Sequence, residues 1–323
     1  MNIAFAGFRH SHILGLYDTA LNTSSLKICG CYEKDEAAKK TAAQSRSISF
    51  NYNSYQDILA DETVDIVAIG DYYGIRGQMI IKALKAGKHV ICDKPLCTSC
   101  DELEEIEKLA RKTGLKICCM LDLRYMPQVP DVCRIIQGGG IGEVINVTFT
   151  GQHCLDYGNR PEWYFEDGKH GGTINDIAIH GIDLVRFITG KNLTKINCAK
   201  TWNAFAEAEP DFKDCGQFMA EMENISVMAD VSYAAPKFEG TLPTYWDFYF
   251  WGTDGMLNFN LRSNEIRIYK NSEEIIECPE VKPGYLKDFL LEINGTKTIM
   301  DTFDILKSQR QVLEIQRFAD TIS

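Results

Sequence analysis

The sequence predicts an α/β protein with a Rossmann-type, doubly wound parallel sheet at the N-terminus and a C-terminal α+β domain built on a large open, mostly antiparallel sheet. Two observations predict this class. Short apolar runs alternate with helical patterns up to residue 122, which is typical of a doubly wound sheet. After residue 190, strand-like segments follow one another with turn residues between them, which is typical of antiparallel strands.

The N-terminal alternation consists of five apolar runs and five helical patterns. The run at 64–69 is apolar and β-branched, as expected of a strand buried on both faces. Gly87 and Gly114 close two of the helices, because glycine readily adopts the left-handed conformation that ends a helix. The predicted strands are 2–6, 26–32, 64–69, 89–93 and 115–120, with a further short run at 48–50, and the predicted helices are 13–21, 35–44, 55–60, 77–86 and 101–113.

The remaining chain is predicted to form a second domain, so the domains are 1–122 and 123–323, with the C-terminal helix 302–321 a candidate to pack back on the first domain. A sheet with few helices to cover it predicts a homodimer or homotetramer formed through its open face. One helix is predicted to run through Gln137, and three more are predicted at 172–189, 285–293 and 302–321. The predicted strands are 144–150, 195–201, 217–223, 225–232, 245–251 and 265–270.

Composition argues against several classes of partner. The chain has 323 residues, 45% of them hydrophobic, and a net charge of −11, which disfavours nucleic acid and anionic membranes. The first residues lack the basic region of a signal peptide and reach Arg9 early, and no apolar run is long enough to span a bilayer. These features predict a cytoplasmic protein with its twelve cysteines reduced.

Cys97 and Cys100 have C-x-x-C spacing, which raises a redox or metal site as an alternative. No second pair or clear histidine ligand accompanies them. A helix cap at Thr98 or Ser99 explains the same stretch, and we favour that interpretation.

The turn after the first strand resembles a dinucleotide-binding turn that has lost two of its glycines. Gly7 holds the first glycine position, while Arg9 and His12 stand at the second and third and hinder the approach of a pyrophosphate. Arg9 could compensate by pairing with phosphate. Glu33 at the end of the second strand would accept the ribose hydroxyls of NAD and repel the 2′-phosphate of NADP, although Lys34 weakens that preference. The alternative is a domain without cofactor, whose cleft is filled by side chains.

A lysine, an aspartate and a histidine are candidates for proton transfer. Lys94 follows an apolar run and precedes a proline, which places it at the carboxyl edge of the sheet where open α/β sheets bind ligands. Asp176 and His180 are four residues apart and share a helix face. A structural role for each is the alternative, and Asp183 is expected to hold its helix in place.

His10 and His12 could offer two metal ligands, completed by His153 or His170. Histidines two residues apart at a strand–helix turn are expected to point apart, so we predict no metal. Trp163 lies in an aromatic loop that would suit a sugar face, although a role in capping the core is equally compatible with the sequence.

Several motifs together resemble the glucose–fructose oxidoreductase/inositol dehydrogenase (Gfo/Idh/MocA) family. The stretch 83–96 is similar to the family pattern A-L-x-A-G-K-H-V-x-x-E-K-P-L, with Asp93 for the usual glutamate. The stretches 124–127, 140–144 and 171–190 match R-[FY]-x-P and the second-domain motifs. The chain departs from the family at 71–76, where T-P-N-x-x-H is usual, and at Asp122, where asparagine is common.

The resemblance implies an NAD(P)-dependent enzyme, NAD being preferred over NADP, that acts on a sugar, cyclitol or polyol. It implies that Lys94 contacts nicotinamide ribose and substrate, that His180 is the acid–base group and that Asp176 binds substrate beside it. His153 and Trp163 are further candidates for substrate binding. The candidate cofactor-binding residues are Gly7, Phe8, Arg9, His10, Glu33, Gly70, Asp71, Tyr72, Arg76, Lys94 and Arg124.

The sequence therefore predicts an oxidoreductase that transfers hydride between a nicotinamide and a hydroxyl-bearing carbon. One rival is an enzyme of the same family that retains its NAD and cleaves or eliminates a glycoside. The other is a non-catalytic regulator that binds nucleotide or sugar. The candidate set Lys94, Asp176 and His180 favours an enzyme, while the altered turn at Arg9 and His12 favours the regulator.

Overall fold

The described residues divide into two compact units. A computed structural model describes residues 1–242, 245–279 and 284–321. Unit 1 contains Met1–Met120, Glu166–Gly171 and Gly284–Gln309. Unit 2 contains the described residues within 121–165, 172–279 and 310–321. The membership of 166–171 and 284–301 in unit 1 is not indicated by the sequence pattern, whereas 302–309 begins the C-terminal helix, the candidate to pack back on the first domain.

Unit 1 is built on a five-stranded parallel sheet in the order β2-β1-β3-β4-β5, which confirms the predicted doubly wound sheet. All four residues of β3 are buried, as its β-branched composition predicts. The strands are β1 (Asn2–Ala6), β2 (Lys27–Tyr32), β3 (Ile66–Ile69), β4 (His89–Cys92) and β5 (Ile117–Cys119), and the helices are α1 (His12–Leu21), α2 (Glu36–Ser45), α3 (Tyr55–Ala60), α4 (Tyr73–Lys85) and α5 (Cys100–Thr113).

Two helix ends in unit 1 test the capping predictions. The hydroxyl of Ser99 accepts a hydrogen bond from the Glu102 amide, so Ser99 caps α5. Gly114 ends the same helix with φ +74°, as predicted. Helix α4 begins four residues before the predicted start at Gly77, because Tyr73 and Arg76 are buried on its inner face. All twelve cysteines are free thiols.

Unit 2 is built on an eight-stranded sheet in the order β13-β12-β11-β10-β6-β9-β8-β7, antiparallel except for the β6–β9 pair. This confirms the predicted open, mostly antiparallel sheet. The strands are β6 (Val144–Cys154), β7 (Leu193–Trp202), β8 (Cys215–Met222), β9 (Ile225–Ala235), β10 (Asp247–Gly252), β11 (Met256–Asn260), β12 (Glu265–Tyr269) and β13 (Glu273–Glu277), and the helices are α6 (Val129–Gln137) and α7 (Ile179–Thr189).

Strands β11 and β13 are absent from the sequence prediction. Strand β13 has five residues, three of them glutamate, so its pattern carries no alternation of apolar and polar residues. Strand β11 is also only five residues long. Pairing with β12 holds both strands in the sheet, which a local pattern cannot reveal.

The chain ends in helices α8 (Tyr285–Ile293) and α9 (Thr302–Asp320), close to the predicted bounds. In unit 1, the Thr302 hydroxyl accepts from the Ile117 amide, and the Gln309 side chain accepts from the Leu96 amide. In unit 2, the Gln311 side chain accepts from the Leu193 amide. None of the helices in the described residues combines the length and apolarity needed to cross a lipid bilayer.

A buried ion pair joins the start of unit 2 to α7. Arg124 binds Asp183 through two hydrogen bonds, from Nε to Oδ2 at 2.7 Å and from Nη2 to Oδ1 at 2.6 Å. Both residues are 1% exposed. The bidentate geometry is the strongest form of this contact, and the Phe187 ring lies 4.8 Å from the guanidinium carbon. Asp183 therefore has the structural role expected from the sequence.

We expect Asp183→Asn to lower the free energy of unfolding by about 3–5 kcal/mol, because it leaves a buried guanidinium uncompensated. Urea unfolding followed by tryptophan fluorescence measures the change. The control is Glu107→Gln, which removes a helix ion pair with the exposed Arg111 and should change the midpoint little. Equal small shifts for both variants would contradict the structural role of the buried pair.

Candidate functional site

The carboxyl edge of the parallel sheet in unit 1 is shaped by two glycines. Gly7 follows β1 with φ +84°, and a Cβ there would lie 2.6 Å from the Asp71 amide nitrogen. A Cβ on Gly70 would lie 2.5 Å from Ile13. The amides of Arg9 and His10 both donate to the Gly70 carbonyl at 3.1 Å. The turn after β1 is therefore held tightly against the end of β3.

The acidic residue after β2 is bound to the same turn. One Glu33 carboxylate oxygen accepts from the Phe8 amide at 2.5 Å, and the other accepts from the Asp35 amide at 2.7 Å. Glu33 is buried, and this burial raises the pKa of its carboxyl. The Arg9 guanidinium pairs with Asp35 at 3.3 Å. Arg9, expected to meet phosphate, therefore has a carboxylate partner within unit 1.

The residues present fit the adenosine half of a dinucleotide, with an altered turn. Each Glu33 oxygen accepts one backbone hydrogen bond and retains a second lone pair for a ribose hydroxyl. Helix α1 begins at His12, directly beyond the turn, and a helix N-terminus favours a phosphate. Tyr72 is another predicted cofactor-binding residue. The centroid of its ring lies 5.9 Å from the Arg9 guanidinium carbon and 5.2 Å from Lys169 Nζ.

The Asp93 carboxylate, at the end of β4, collects four hydrogen-bond donors. His10 Nδ1 lies 2.5 Å from Oδ2 and His12 Nδ1 lies 3.2 Å from Oδ1. Arg76 Nη2 donates to Oδ2 at 3.1 Å, and the Lys94 amide donates to Oδ1 at 2.8 Å. Burial alone would raise the pKa of Asp93, but the charges of His10, Arg76 and His12 hold it well below its usual value.

The two histidine rings face the same carboxylate, so the prediction that they point apart is wrong. Their centroids are 4.3 Å apart. His10 precedes α1 and His12 is its first residue, and the buried Asp93 carboxylate accepts from both rings. Burial lowers the pKa of His10 to about 4, against the opposing attraction of Asp93. The third potential ligand is Asp93 rather than His153 or His170.

Arg76 is fully buried and binds backbone rather than presenting its charge at the surface. Its Nη1 donates to the carbonyls of Asp93 at 3.0 Å and Lys94 at 2.6 Å, and its Nε donates to the Asp71 carbonyl at 2.7 Å. It therefore fixes the chain on either side of Lys94, which is itself 3% exposed. Arg124, also predicted to bind cofactor, is occupied by Asp183 in unit 2.

In unit 2, Asp176 lies in a π-helical segment, Ile174–Ala178, that opens directly into α7. The predicted continuous α-helix from 172 is therefore wrong in its first turn, although helix continues to Gly190 as expected. The Tyr233 hydroxyl donates to Oδ2 of Asp176. Burial, reinforced by the Asp176 charge, raises the pKa of Tyr233 well above its ordinary value. Tyr233 is thus a neutral donor that orients the carboxylate.

His180 lies in the first turn of α7, beside an acid and an aromatic ring. Its Nδ1 is 3.5 Å from Oδ1 of Asp122, longer than an ordinary hydrogen bond. The Trp246 ring meets the imidazole edge-on, with centroids 5.5 Å apart. A Cβ on Gly181 would lie 2.2 Å from the Phe149 ring, so glycine there lets α7 approach β6 closely.

An aromatic cluster connects the predicted residues of unit 2. The His153 ring centroid lies 6.5 Å from that of Tyr233 and 5.7 Å from that of Trp246. Because Tyr233 binds Asp176 and Trp246 contacts His180, the cluster brings His153, Asp176 and His180 into one neighbourhood. Lys94 belongs to unit 1, so its place in a common site stays a prediction.

Sequence reasoning missed Tyr233 and Trp246. The Arg160 guanidinium stacks on the Tyr164 ring at 4.7 Å and lies 5.6 Å from the Tyr233 ring. Tyr233 carries a weak signal, because it is the one aromatic residue in β9. Trp246 precedes β10 with φ +51°, and no sequence pattern indicates its position. Trp163 is 1% exposed and packs against Tyr164, as the core-capping alternative expects.

Curated relatives resemble the chain over about half of its length or, for one of them, over most of it. It is 31% identical over 144 residues to the scyllo-inositol 2-dehydrogenase (NAD(+)) of Bacillus subtilis, covering 44% of this chain and 40% of the relative. It is 23% identical over 305 residues to a D-xylose 1-dehydrogenase (NADP(+)) of Haloferax volcanii, covering 94% and 83%. The chain spans about half the length of the first curated relatives that it matches.

The fold and the family models agree along the chain. A solved structure of a candidate oxidoreductase from Erwinia carotovora atroseptica has a TM-score of 0.88 at 23% identity, covering 99% of this chain and 98% of the other. Residues 2–121 match the model for the oxidoreductase family with an NAD-binding Rossmann fold, and residues 130–258 match the model for the C-terminal domain of the same family. The chain belongs to the Gfo/Idh/MocA oxidoreductase family.

Proposed function

We propose that the protein is an NAD(H)-dependent oxidoreductase that acts on a hydroxyl-bearing carbon of a sugar, cyclitol or related polyol. The observation that carries this proposal is the cluster in unit 2, where His180 lies beside Asp122 and Trp246 while Asp176 is bound by Tyr233. The names of the Bacillus subtilis and Haloferax volcanii relatives support the substrate class. Nicotinamide, when bound, supplies the hydride acceptor.

His180 serves as the acid–base group. Hydride leaves a carbinol carbon only as its hydroxyl loses a proton, so the site needs a base that titrates near neutrality. Asp122, 3.5 Å from Nδ1, is placed to orient the imidazole and to stabilise the imidazolium that forms. The Trp246 ring packs edge-on against the imidazole.

Asp176 and Lys94 hold the substrate hydroxyls. The Tyr233 hydroxyl fixes one Asp176 oxygen, which leaves the carboxylate oriented before a substrate arrives. In this proposal Lys94 reaches the reacting oxygen and stabilises its developing negative charge. Arg76 acts through Lys94, because it binds the carbonyls on either side of the Lys94 amide.

We expect His180→Asn to lower kcat by about 10²–10⁴-fold without changing the dissociation constant of NADH. A panel of aldoses and cyclitols, assayed for NADH formation at 340 nm, identifies the substrate. The control is His153→Asn in the same aromatic cluster, which should alter KM more than kcat. An undiminished kcat in His180→Asn would remove this residue from the chemistry. Glycoside cleavage without net NADH formation would favour the NAD-retaining alternative.

Nucleotide preference follows from Glu33. Its carboxylate would accept ribose hydroxyls and repel a 2′-phosphate, so we expect tighter binding of NADH than of NADPH in fluorescence titrations. Glu33→Gln should reduce the ratio of the two dissociation constants about tenfold, since it removes the charge but keeps the side-chain length. Glu36→Gln, in the first turn of α2, is the control. Failure of the unaltered protein to bind either nucleotide would overturn the oxidoreductase proposal and favour the regulator.

We further propose that the open face of the eight-stranded sheet forms a homodimer. Met219 on β8 and Met228 on β9 are register partners. Met228 is also paired with Thr148 on β6, which in turn is paired with Tyr249 on β10. Trp251 is two residues after Tyr249, so it lies on the same face of the sheet as the two methionines. These three side chains are 40–51% exposed. An exposed apolar patch of this kind is typical of a protein interface.

The double variant Met228→Glu/Trp251→Glu should convert the dimer to a monomer, because it places charges in a desolvated interface. Size-exclusion chromatography with light scattering measures the mass. Phe238→Glu is the matched control, since Phe238 is 58% exposed but lies after β9 rather than on the sheet. A monomeric unaltered protein, or a double variant that stays dimeric, would contradict the proposed interface.

A further inference from the structure

We propose that His10, His12 and Asp93 form a binding site for one transition-metal dication of the class that prefers imidazole, such as Ni²⁺ or Zn²⁺. One ligand atom from each residue lies within 4.8 Å of the other two. All three residues belong to unit 1 and join the turn after β1, the start of α1 and the end of β4. The acid–base residues proposed above belong to unit 2 and are not among these ligands.

The spacing of the ligand atoms suits one coordination sphere. Metal–nitrogen and metal–oxygen bonds of about 2.0–2.2 Å place neighbouring tetrahedral ligands about 3.3 Å apart. His12 Nδ1 and Asp93 Oδ1 are already 3.2 Å apart. His10 Nδ1 lies 2.5 Å from Oδ2 and would retreat by less than an ångström to admit an ion.

Two hydrogen bonds orient the Asp93 carboxylate, as hydrogen bonds to the ligands of known metal sites do. Arg76 donates to Oδ2 at 3.1 Å and the Lys94 amide donates to Oδ1 at 2.8 Å, so Asp93 cannot rotate freely. The side chains of Asp93 and Arg76 are both 0% exposed. The carboxylate is therefore presented to the two imidazoles in a fixed orientation.

Charge decides which metals the site takes. Arg76 already balances the Asp93 charge, so a dication gains little from long-range attraction and must be held by the two imidazole nitrogens. Ca²⁺ and Mg²⁺ require several oxygen ligands and are disfavoured here. Ni²⁺, Zn²⁺ and Cu²⁺ bind imidazole well.

The site is accessible from one side. The His10 side chain is 8% exposed, whereas the His12 side chain is 50% exposed. An ion would enter beside His12, and water would fill the coordination positions that the three residues leave open. Without a metal, the same three residues form a hydrogen-bonded cluster with Arg76.

Isothermal titration of the untagged full-length protein with Ni²⁺, in reductant and without nucleotide, tests the proposal. Ni²⁺ is preferred to Zn²⁺ as a probe because thiolates, which the twelve free cysteines could supply, select Zn²⁺. We expect one ion per chain, and we expect His12→Ala to weaken binding about tenfold or more. His12 is half-exposed, so its replacement should leave the fold intact. His153→Gln, in unit 2, is the control and should bind Ni²⁺ as the unaltered protein does.

A thermal melt provides the second measurement. Ni²⁺ should raise the Tm of the unaltered protein and of His153→Gln but not that of His12→Ala or Asp93→Asn, because only an ion bound to the folded state stabilises it. Equal Ni²⁺ affinity in the unaltered protein and His12→Ala would overturn the proposal, as would the absence of any bound ion. Because nucleotide is absent, either result is distinguishable from a failure of NADH binding.

Discussion

The edge of the parallel sheet depends on the buried carboxylate of Asp93. A carboxylate removed from water is stable only when its lone pairs are satisfied, and here four donors from three segments of unit 1 converge on it. The Lys94 amide is one of these donors, so the backbone at Lys94 is fixed by the same charge. Arg76 extends the arrangement by binding the carbonyls of Asp93 and Lys94. The position of the candidate catalytic lysine therefore depends on a network that ends in α1 and α4.

In unit 2, the candidate residues are positioned by close packing rather than by a buried charge. Gly181 has no Cβ to meet the Phe149 ring, and a Cβ on Gly151 would lie 3.0 Å from the Trp246 ring. Because neither Gly181 nor Gly151 has a Cβ, α7 and Trp246 can pack closely against β6. His180 then lies beside both Trp246 and Asp122, while Tyr233 on β9 fixes Asp176. The acid–base candidate and the substrate-binding candidate thus take their positions from one strand pair, β6 and β9.

The class of both sheets could be predicted from the sequence, because alternation and apolar runs are local signals. Asp176 and His180 could be selected because their spacing and the family motif agree. Tyr233 and Trp246 could not, since each acts through a contact made by the tertiary fold. The contacts of Arg76 could not be predicted from the sequence either. Its charge and place after β3 suggested a cofactor contact, but only the fold shows that its donors bind four backbone carbonyls and the Asp93 carboxylate.

The departures from the family pattern are connected. Arg9 and His12 in the glycine turn, Arg76 in the segment after β3, and Asp93 in place of glutamate look independent along the sequence. In the fold, His12, Arg76 and Asp93 meet at one carboxylate, and Arg9 binds the Asp35 that caps the neighbouring helix. Asp is one methylene shorter than Glu, and its Oδ1 accepts from the Lys94 amide at 2.8 Å. The altered turn thus places a fixed polar cluster where the family has glycines, and changing Asp93 or Arg76, which are both fully buried, would leave the charge of the other unbalanced.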